Sequence, residues 1–186
     1  LTLARNNITD TGAIALARAL EQNYTLTYID LQKNQISNVG TFAIAEALGK
    51  NQVLNYLSLR GNNLANSGAT ALANALMTND SLECLDLSKN AIGSEGALAF
   101  LPVIKERRIL KELCLAYNKI GDSAVAILAP WVYKNDTLDK ITFDSNNLRD
   151  ESIRAIHEAL LQEQEKLDKK NQIEESLDIR LQTLNN

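Results

Sequence analysis

The sequence predicts an α/β solenoid, a right-handed coil in which short parallel strands alternate with helices. Three observations predict it. A hexapeptide of the form LxLxxN recurs as LTLARN, IDLQKN, LSLRGN, LDLSKN, LCLAYN and ITFDSN, with its asparagine at Asn6, Asn34, Asn62, Asn90, Asn118 and Asn146, always 28 residues apart. A fixed period over six copies is the signature of a stacked repeat. Between the hexapeptides, segments such as TGAIALARAL and SGATALANAL space their apolar residues as a helix does. Four residues after each asparagine stands a good helix-capping residue: Asp10, Asn38, Asn66, Ser94, Asp122 or Asp150.

Each element follows from its residues. In LxLxx the apolar positions alternate, so pairs such as Leu57 and Leu59, or Leu85 and Leu87, face one side of a short strand. The capping residues are expected to serve as N-caps of the helices that follow. Two places later Gly12, Gly40, Gly68 and Gly96 leave room for a helix start to lie against its neighbour, while Ala124 and Ser152 relax the rule. Polar turns containing Asn23, Asn51, Asn79 and Asn135 end the helices, and Leu26, Leu54, Leu82 or Leu138 returns the chain to the core; the fourth repeat has Arg107 in that turn. Pro102 and Pro130 stand at one position of successive repeats, where each is expected to kink or shorten its helix.

One such repeat cannot bury its own leucines, so stability must come from stacking. Strands stack about 4.8 Å apart and helices about 8 to 10 Å apart, so the two layers can stack only by bending, with strands on the concave face and helices on the convex face. Spacing, capping residues, glycines and asparagines together resemble the ribonuclease-inhibitor-like leucine-rich repeats, found also in cytosolic nucleotide-binding receptors and Ran GTPase-activating proteins. The resemblance covers residues 1–160 and implies a leucine-rich repeat solenoid, a curved horseshoe arc, that serves as a non-catalytic scaffold for binding a protein partner. It also offers two alternatives: a GTPase-activating role of the Ran type, with Arg5 and Arg60 near the nucleotide, and a microbial effector or receptor sensor module.

The ends depart from the pattern. The chain opens at Leu1 inside a repeat, which leaves an apolar strand edge that upstream sequence would shield and that otherwise offers a route to self-association. After Leu160 the period fails. Residues 161–186 are expected to form an extension of the last helix followed by a capping strand with Leu177, Ile179 and Leu181 inward.

The asparagine column reads as structural, because a buried amide must find hydrogen-bond partners. The family resemblance implies a ladder bonding the backbone of successive turns. The positions between the inward leucines form outward columns: Tyr28, Tyr56, Cys84, Glu112 and Lys140; then Thr2, Asp30, Ser58, Asp86, Cys114 and Thr142; then Ala4, Gln32, Arg60, Ser88, Ala116 and Asp144; and last Arg5, Lys33, Gly61, Lys89, Tyr117 and Ser145. Aromatic and arginine residues are the commonest interface anchors, so Tyr28, Tyr56, Arg60 and Tyr117 are the candidate contacts, with Asp30 and Asp86 as polar neighbours.

Composition narrows the field further. A formal charge of -4 builds no field for nucleic acid, and no run is long and apolar enough to cross a membrane. Two cysteines make no disulfide framework; they point to free thiols in the cytoplasm, or the host cytosol for a microbial effector. His157, the single histidine, has no convergent partners. The sequence therefore predicts no catalytic residues, no metal site and no cofactor.

Overall fold

A computed structural model of the chain describes residues 1–107 and 109–149. The chain divides into two units, Leu1–Leu148 and Arg149–Asn186. The elements described all lie in the first. The capping residue Asp150, the sixth helix with Ser152 and His157, and the extended helix and strand expected over 161–186 lie outside the described residues.

Strands and helices alternate as α1 (Asp10–Glu21), β1 (Tyr28–Asp30), α2 (Asn38–Lys50), β2 (Tyr56–Ser58), α3 (Asn66–Leu76), β3 (Cys84–Asp86), α4 (Ser94–Leu98), α5 (Leu101–Glu106), β4 (Glu112–Cys114), α6 (Asp122–Lys134) and β5 (Lys140–Thr142). The strands form one parallel sheet in chain order, β1-β2-β3-β4-β5. Their register is the 28-residue period itself, with Tyr28 opposite Tyr56, Tyr56 opposite Cys84, Cys84 opposite Glu112 and Glu112 opposite Lys140. The first turn joins the edge, Leu3 N donating to Asp30 O at 2.8 Å and Asp30 N to Leu1 O at 3.0 Å. A one-residue slip would turn every leucine outward, so the hydrophobic pattern fixes this register.

The core lies between strands and helices. Leu57, Leu59, Leu85, Leu87, Leu113 and Leu115 from the hexapeptides are sealed from solvent, together with Ile36, Leu64, Ile92 and Ile120 two residues beyond each asparagine. Ala13 and Ala17 of α1, Ala47 and Leu48 of α2, Leu72 and Ala73 of α3 and Leu128 of α6 close it from the helix side. Alanine is frequent there because adjacent helices must sit close enough to follow the strand stack.

The capping residues act differently from the sequence expectation. Each is the first helical residue, preceded by an extended N-cap at Thr9, Ser37, Ala65, Gly93 or Gly121. In the first four repeats the side chain reaches across to the next helix start. Asp10 Oδ1 accepts from Ser37 N at 2.8 Å and Gly40 N at 2.9 Å. Asn38 Oδ1 accepts from Ala65 N at 2.9 Å and Gly68 N at 3.1 Å. Asn66 Oδ1 and Ser94 Oγ accept from Gly93 N and Gly121 N, at 2.7 and 3.0 Å. A helix start leaves four amides without intrahelical partners, and here the preceding repeat satisfies some of them. This is why glycine follows: a Cβ on Gly40 would come within 2.7 Å of Asp10 Oδ1 and 2.9 Å of Ala13 Cβ. Where Ala124 replaces that glycine, the facing residue is Ser94, whose side chain is one atom shorter.

The Asp10 carboxylate also accepts from Ser37 Oγ at 2.6 Å. Burial pushes its pKa up, but the bonds from the Ser37 hydroxyl and amide and the Gly40 amide outweigh that and hold it below the ordinary carboxylate value. A lowered folded-state pKa gives stability that is present above the unfolded value, about 4, and is lost as pH falls through the folded one. Asp10→Asn retains the acceptor, as Asn38 does naturally, but removes the titration. Thermal melts from pH 6 to 2 should show a shallower acid limb for the variant with little change at pH 7. An unaltered acid limb would remove Asp10 from this role.

The two prolines part company. Pro102 falls at the start of α5, where no amide is needed, and the fourth helical segment is broken into α4 and α5 around fully buried Phe100. Pro130 lies inside α6, which continues to Lys134 and so is not shortened. Its ring and Ala126, the residue one turn earlier, both face solvent, so water can satisfy the carbonyl that loses its donor.

Candidate functional site

The strand face carries the outward columns, and the sheet register places their members side by side. In the first column the rings of Tyr28 and Tyr56 stack with centroids 4.3 Å apart and planes 11° from parallel. Tyr28 is 41% exposed and Tyr56 half-buried, so the pair forms an aromatic platform whose edges reach solvent. Burial, and then the proximity of Tyr28 and Cys84, push the Tyr56 hydroxyl up, keeping it a neutral hydrogen-bonding group. Next comes Cys84, whose Sγ lies 4.0 Å from Glu112 Oε2; burial and that carboxylate push its thiol up to about 12. Burial raises Cys114 too. Both are free thiols, neither activated as a nucleophile. Lys140 closes the column with its ammonium 3.6 Å from Glu112.

The second column serves the backbone. Asp30 is 6% exposed, and its carboxylate accepts from Gln32 N at 2.9 Å and Gln32 Nε2 at 3.0 Å. Asp86, half-buried, accepts from Ser88 N at 2.9 Å. Each starts a turn at the end of its strand by bonding two residues ahead. Asp30 thus presents little to a partner beyond what it already holds.

At the fourth column the chain is left-handed: φ is 60° at Arg5, 54° at Lys33, 66° at Gly61, 56° at Lys89, 57° at Tyr117 and 54° at Ser145. The fourth column is exposed at Arg5, Lys33, Lys89, Tyr117 and Ser145, while Ser88 and Ala116 of the third, expected to face outward, are buried. Each fourth-column residue from Arg5 to Tyr117 donates its amide to the next repeat, as in Lys33 N to Arg60 O at 2.7 Å and Gly61 N to Ser88 O at 2.8 Å. Those bonds hold non-glycine residues in a conformation they otherwise avoid. Tyr117 is 52% exposed, with the Lys89 ammonium 4.9 Å from its ring centroid. The structure therefore brings Tyr28 and Tyr56 together, sets Arg60 half-buried beyond them, and leaves Tyr117 apart in another column.

The asparagines form a continuous ladder. Asn62 Nδ2 donates to Leu31 O and Leu59 O at 2.9 and 3.0 Å while Oδ1 accepts from Ile36 N at 3.0 Å. Asn34, Asn90, Asn118 and Asn146 repeat the pattern. Asn6 is exposed; its side-chain amide donates to Ala4 O at 3.0 Å, and its backbone amide donates to Asn34 Oδ1 at 3.0 Å. Sequence reasoning missed a second ladder at the helix ends. Asn79 Nδ2 donates to Leu48 O and Asn51 O at 2.8 and 2.7 Å, and its Oδ1 receives Ser81 N and Leu82 N. Asn51 does the same, and Arg107 substitutes in the fourth turn by donating to Asn79 O and to Asp80. The signal was the 28-residue spacing of those asparagines.

Among the described residues no group of three or more His, Cys, Asp or Glu is placed to hold a metal ion, and no helix is long and apolar enough to cross a membrane.

A parallel sheet in exact repeat register, its turns tied by asparagines, defines a leucine-rich repeat solenoid. The Leucine Rich repeat family model matches residues 1–17, 22–45, 50–73 and 78–101, each stretch ending 28 residues after the last. A solved structure of leiomodin-1 actin-binding site 2 is similar over 90% of this chain and 87% of that one, with a TM-score of 0.59 and 17% identity. At that identity the likeness is one of fold. No curated protein matches the sequence.

Proposed function

We propose that this chain is a non-catalytic protein-protein interaction scaffold that holds its partner on the concave strand face. The stacked, solvent-reaching Tyr28 and Tyr56 carry the reading. An aromatic pair on a rigid sheet offers a large contact area with little ordering entropy left to lose, as interface anchors do. Arg60 adds a donor beside the platform, and Tyr117 gives a second contact further along. The five strands and the bridged first turn span only about 25 Å, so flanking turns must contribute to a standard interface.

We place the repeats in the ribonuclease-inhibitor-like class on their 28-residue strand-and-helix length, and the protein in the cytoplasm on its two free thiols. With a charge of -4, a protein suits this face better than nucleic acid or membrane. Because the similar leiomodin-1 segment is described as actin-binding, actin is the first candidate to try. The test is affinity capture from cell lysate, with actin added in a parallel arm, comparing wild type with Tyr56→Ala/Arg60→Ala. The double variant should bind the captured partner at least tenfold more weakly, while its thermal melt stays within a few degrees, since neither residue is a core leucine. Unchanged affinity would move the binding site off this face.

A further inference from the structure

Four cations line the outer edge of the strand face in the first four repeats: Arg5, Lys33 and Lys89 in the fourth column and Arg60 in the third. Arg5, Lys33 and Lys89 are exposed and Arg60 is half-buried. With strands about 4.8 Å apart, the row is about 14 Å long. Four other cations of the unit stand against carboxylates: Lys50 with Glu21 and Glu46, Lys111 with Glu83, Lys140 with Glu112 and Arg107 with Asp80. Among the described residues, no carboxylate lies within 4.0 Å of any of the four in the row. The nearest carboxylates along the strands are those of Asp30 and Asp86, which are engaged by Gln32 and Ser88.

Like charges side by side on adjacent strands repel, so the row costs the free chain stability that an anionic partner would return. The sign is local. In repeat five the fourth column carries Tyr117, and in repeat six the third carries Asp144. The left-handed backbone also fixes where the charges stand, because the amides of Arg5, Lys33 and Lys89 are bonded to Gln32 O, Arg60 O and Ala116 O.

We propose that this row binds an acidic segment of a protein partner in extended conformation, running across the strands from repeat one to repeat four; the inference rests on the strand face being the binding face. An extended chain rises about 3.3 Å per residue, so about 14 Å takes four or five residues, several of them Asp or Glu. Phosphate-bearing ligands fit less well. Nests of free amides are what bind phosphate, and here those amides are spent on the neighbouring repeat. Single-stranded nucleic acid needs aromatic rings along the row for its bases, and Tyr117 stands only at one end.

The probe is a fluorescein-labelled, glutamate-rich decapeptide, with its glutamine counterpart and a short single-stranded oligonucleotide as comparisons, titrated by fluorescence polarisation against the full chain. The glutamate peptide should bind at least tenfold more tightly than the glutamine one and weaken as salt rises. Lys33→Gln/Lys89→Gln should lose at least tenfold, whereas Lys50→Gln/Lys111→Gln, which removes equal charge off the row, should bind as wild type. Equal binding of the two peptides, an unaffected row variant, or tighter binding of the oligonucleotide overturns the proposal. Capture of a partner separates the two readings. Loss with Tyr28→Ala/Tyr56→Ala but not with the row variant overturns the row alone, and no loss with either overturns the strand face as well.

Discussion

Asn62→Ala will destabilise the chain by about 3 to 5 kcal/mol, because it strands three buried backbone groups at about 1 to 3 kcal/mol each, partly relieved by relaxation. The Asn62 carboxamide is 7% exposed and holds Leu31 O, Leu59 O and Ile36 N. The same substitution at exposed Asn6, whose side chain donates to Ala4 O alone among the described residues, should cost under about 1 kcal/mol. Urea titrations of the two variants make the comparison, and equal losses would show that the ladder contributes residue propensity alone.

Phe100→Ala should cost about 3 to 5 kcal/mol through the cavity it leaves. Phe100 is completely buried at the junction of α4 and α5, helices of only five and six residues. Neither is long enough to persist without packing. The cost should therefore be local as well as large. Amide exchange should quicken over α4, α5 and the facing α6 while β1 to β3 retain their protection, as expected where each repeat contacts only its neighbours. Uniform quickening would mean that the solenoid melts as one body.

The strands and the period are legible in the sequence because alternation and the 28-residue interval are properties of residue type and spacing alone. The same holds for the adjacency of Tyr28 and Tyr56, which follows once the register equals the period, although the stacking of their rings does not. What the residues hide is direction. Asp10, Asn38 and Asn66 are good capping residues, but their chemistry does not say whether they cap their own helix or the next, since that choice depends on how close the neighbouring helix start lies. The left-handed fourth column is hidden for a related reason. Arg5, Lys33, Lys89 and Tyr117 have no intrinsic preference for positive φ; the hydrogen bond to the adjacent repeat imposes it, and only Gly61 gives a hint. Asp30 looks like an exposed contact until its bonds to Gln32 are seen. Pro102 and Pro130 share a position, and what separates them is whether the neighbouring helix segment is held by a buried Phe100 or opens to water.

The borrowed helix start bears on how such a chain can change length. Asp10 meets the amides of Ser37 and Gly40, Asn38 those of Ala65 and Gly68, and Asn66 and Ser94 the amides of Gly93 and Gly121, so in all four the acceptor reaches the N-cap amide of the following helix. Excising one whole 28-residue unit from the first four repeats would hand the oxygen of one repeat to the N-cap amide of the next survivor, with Gly40, Gly68 or Gly96 making room. Duplication would do the reverse. Gain or loss of whole repeats therefore keeps each acceptor in step with a donor, whereas an insertion of any other size between an acceptor and its donors would lengthen that one interval and leave the later ones at 27 residues.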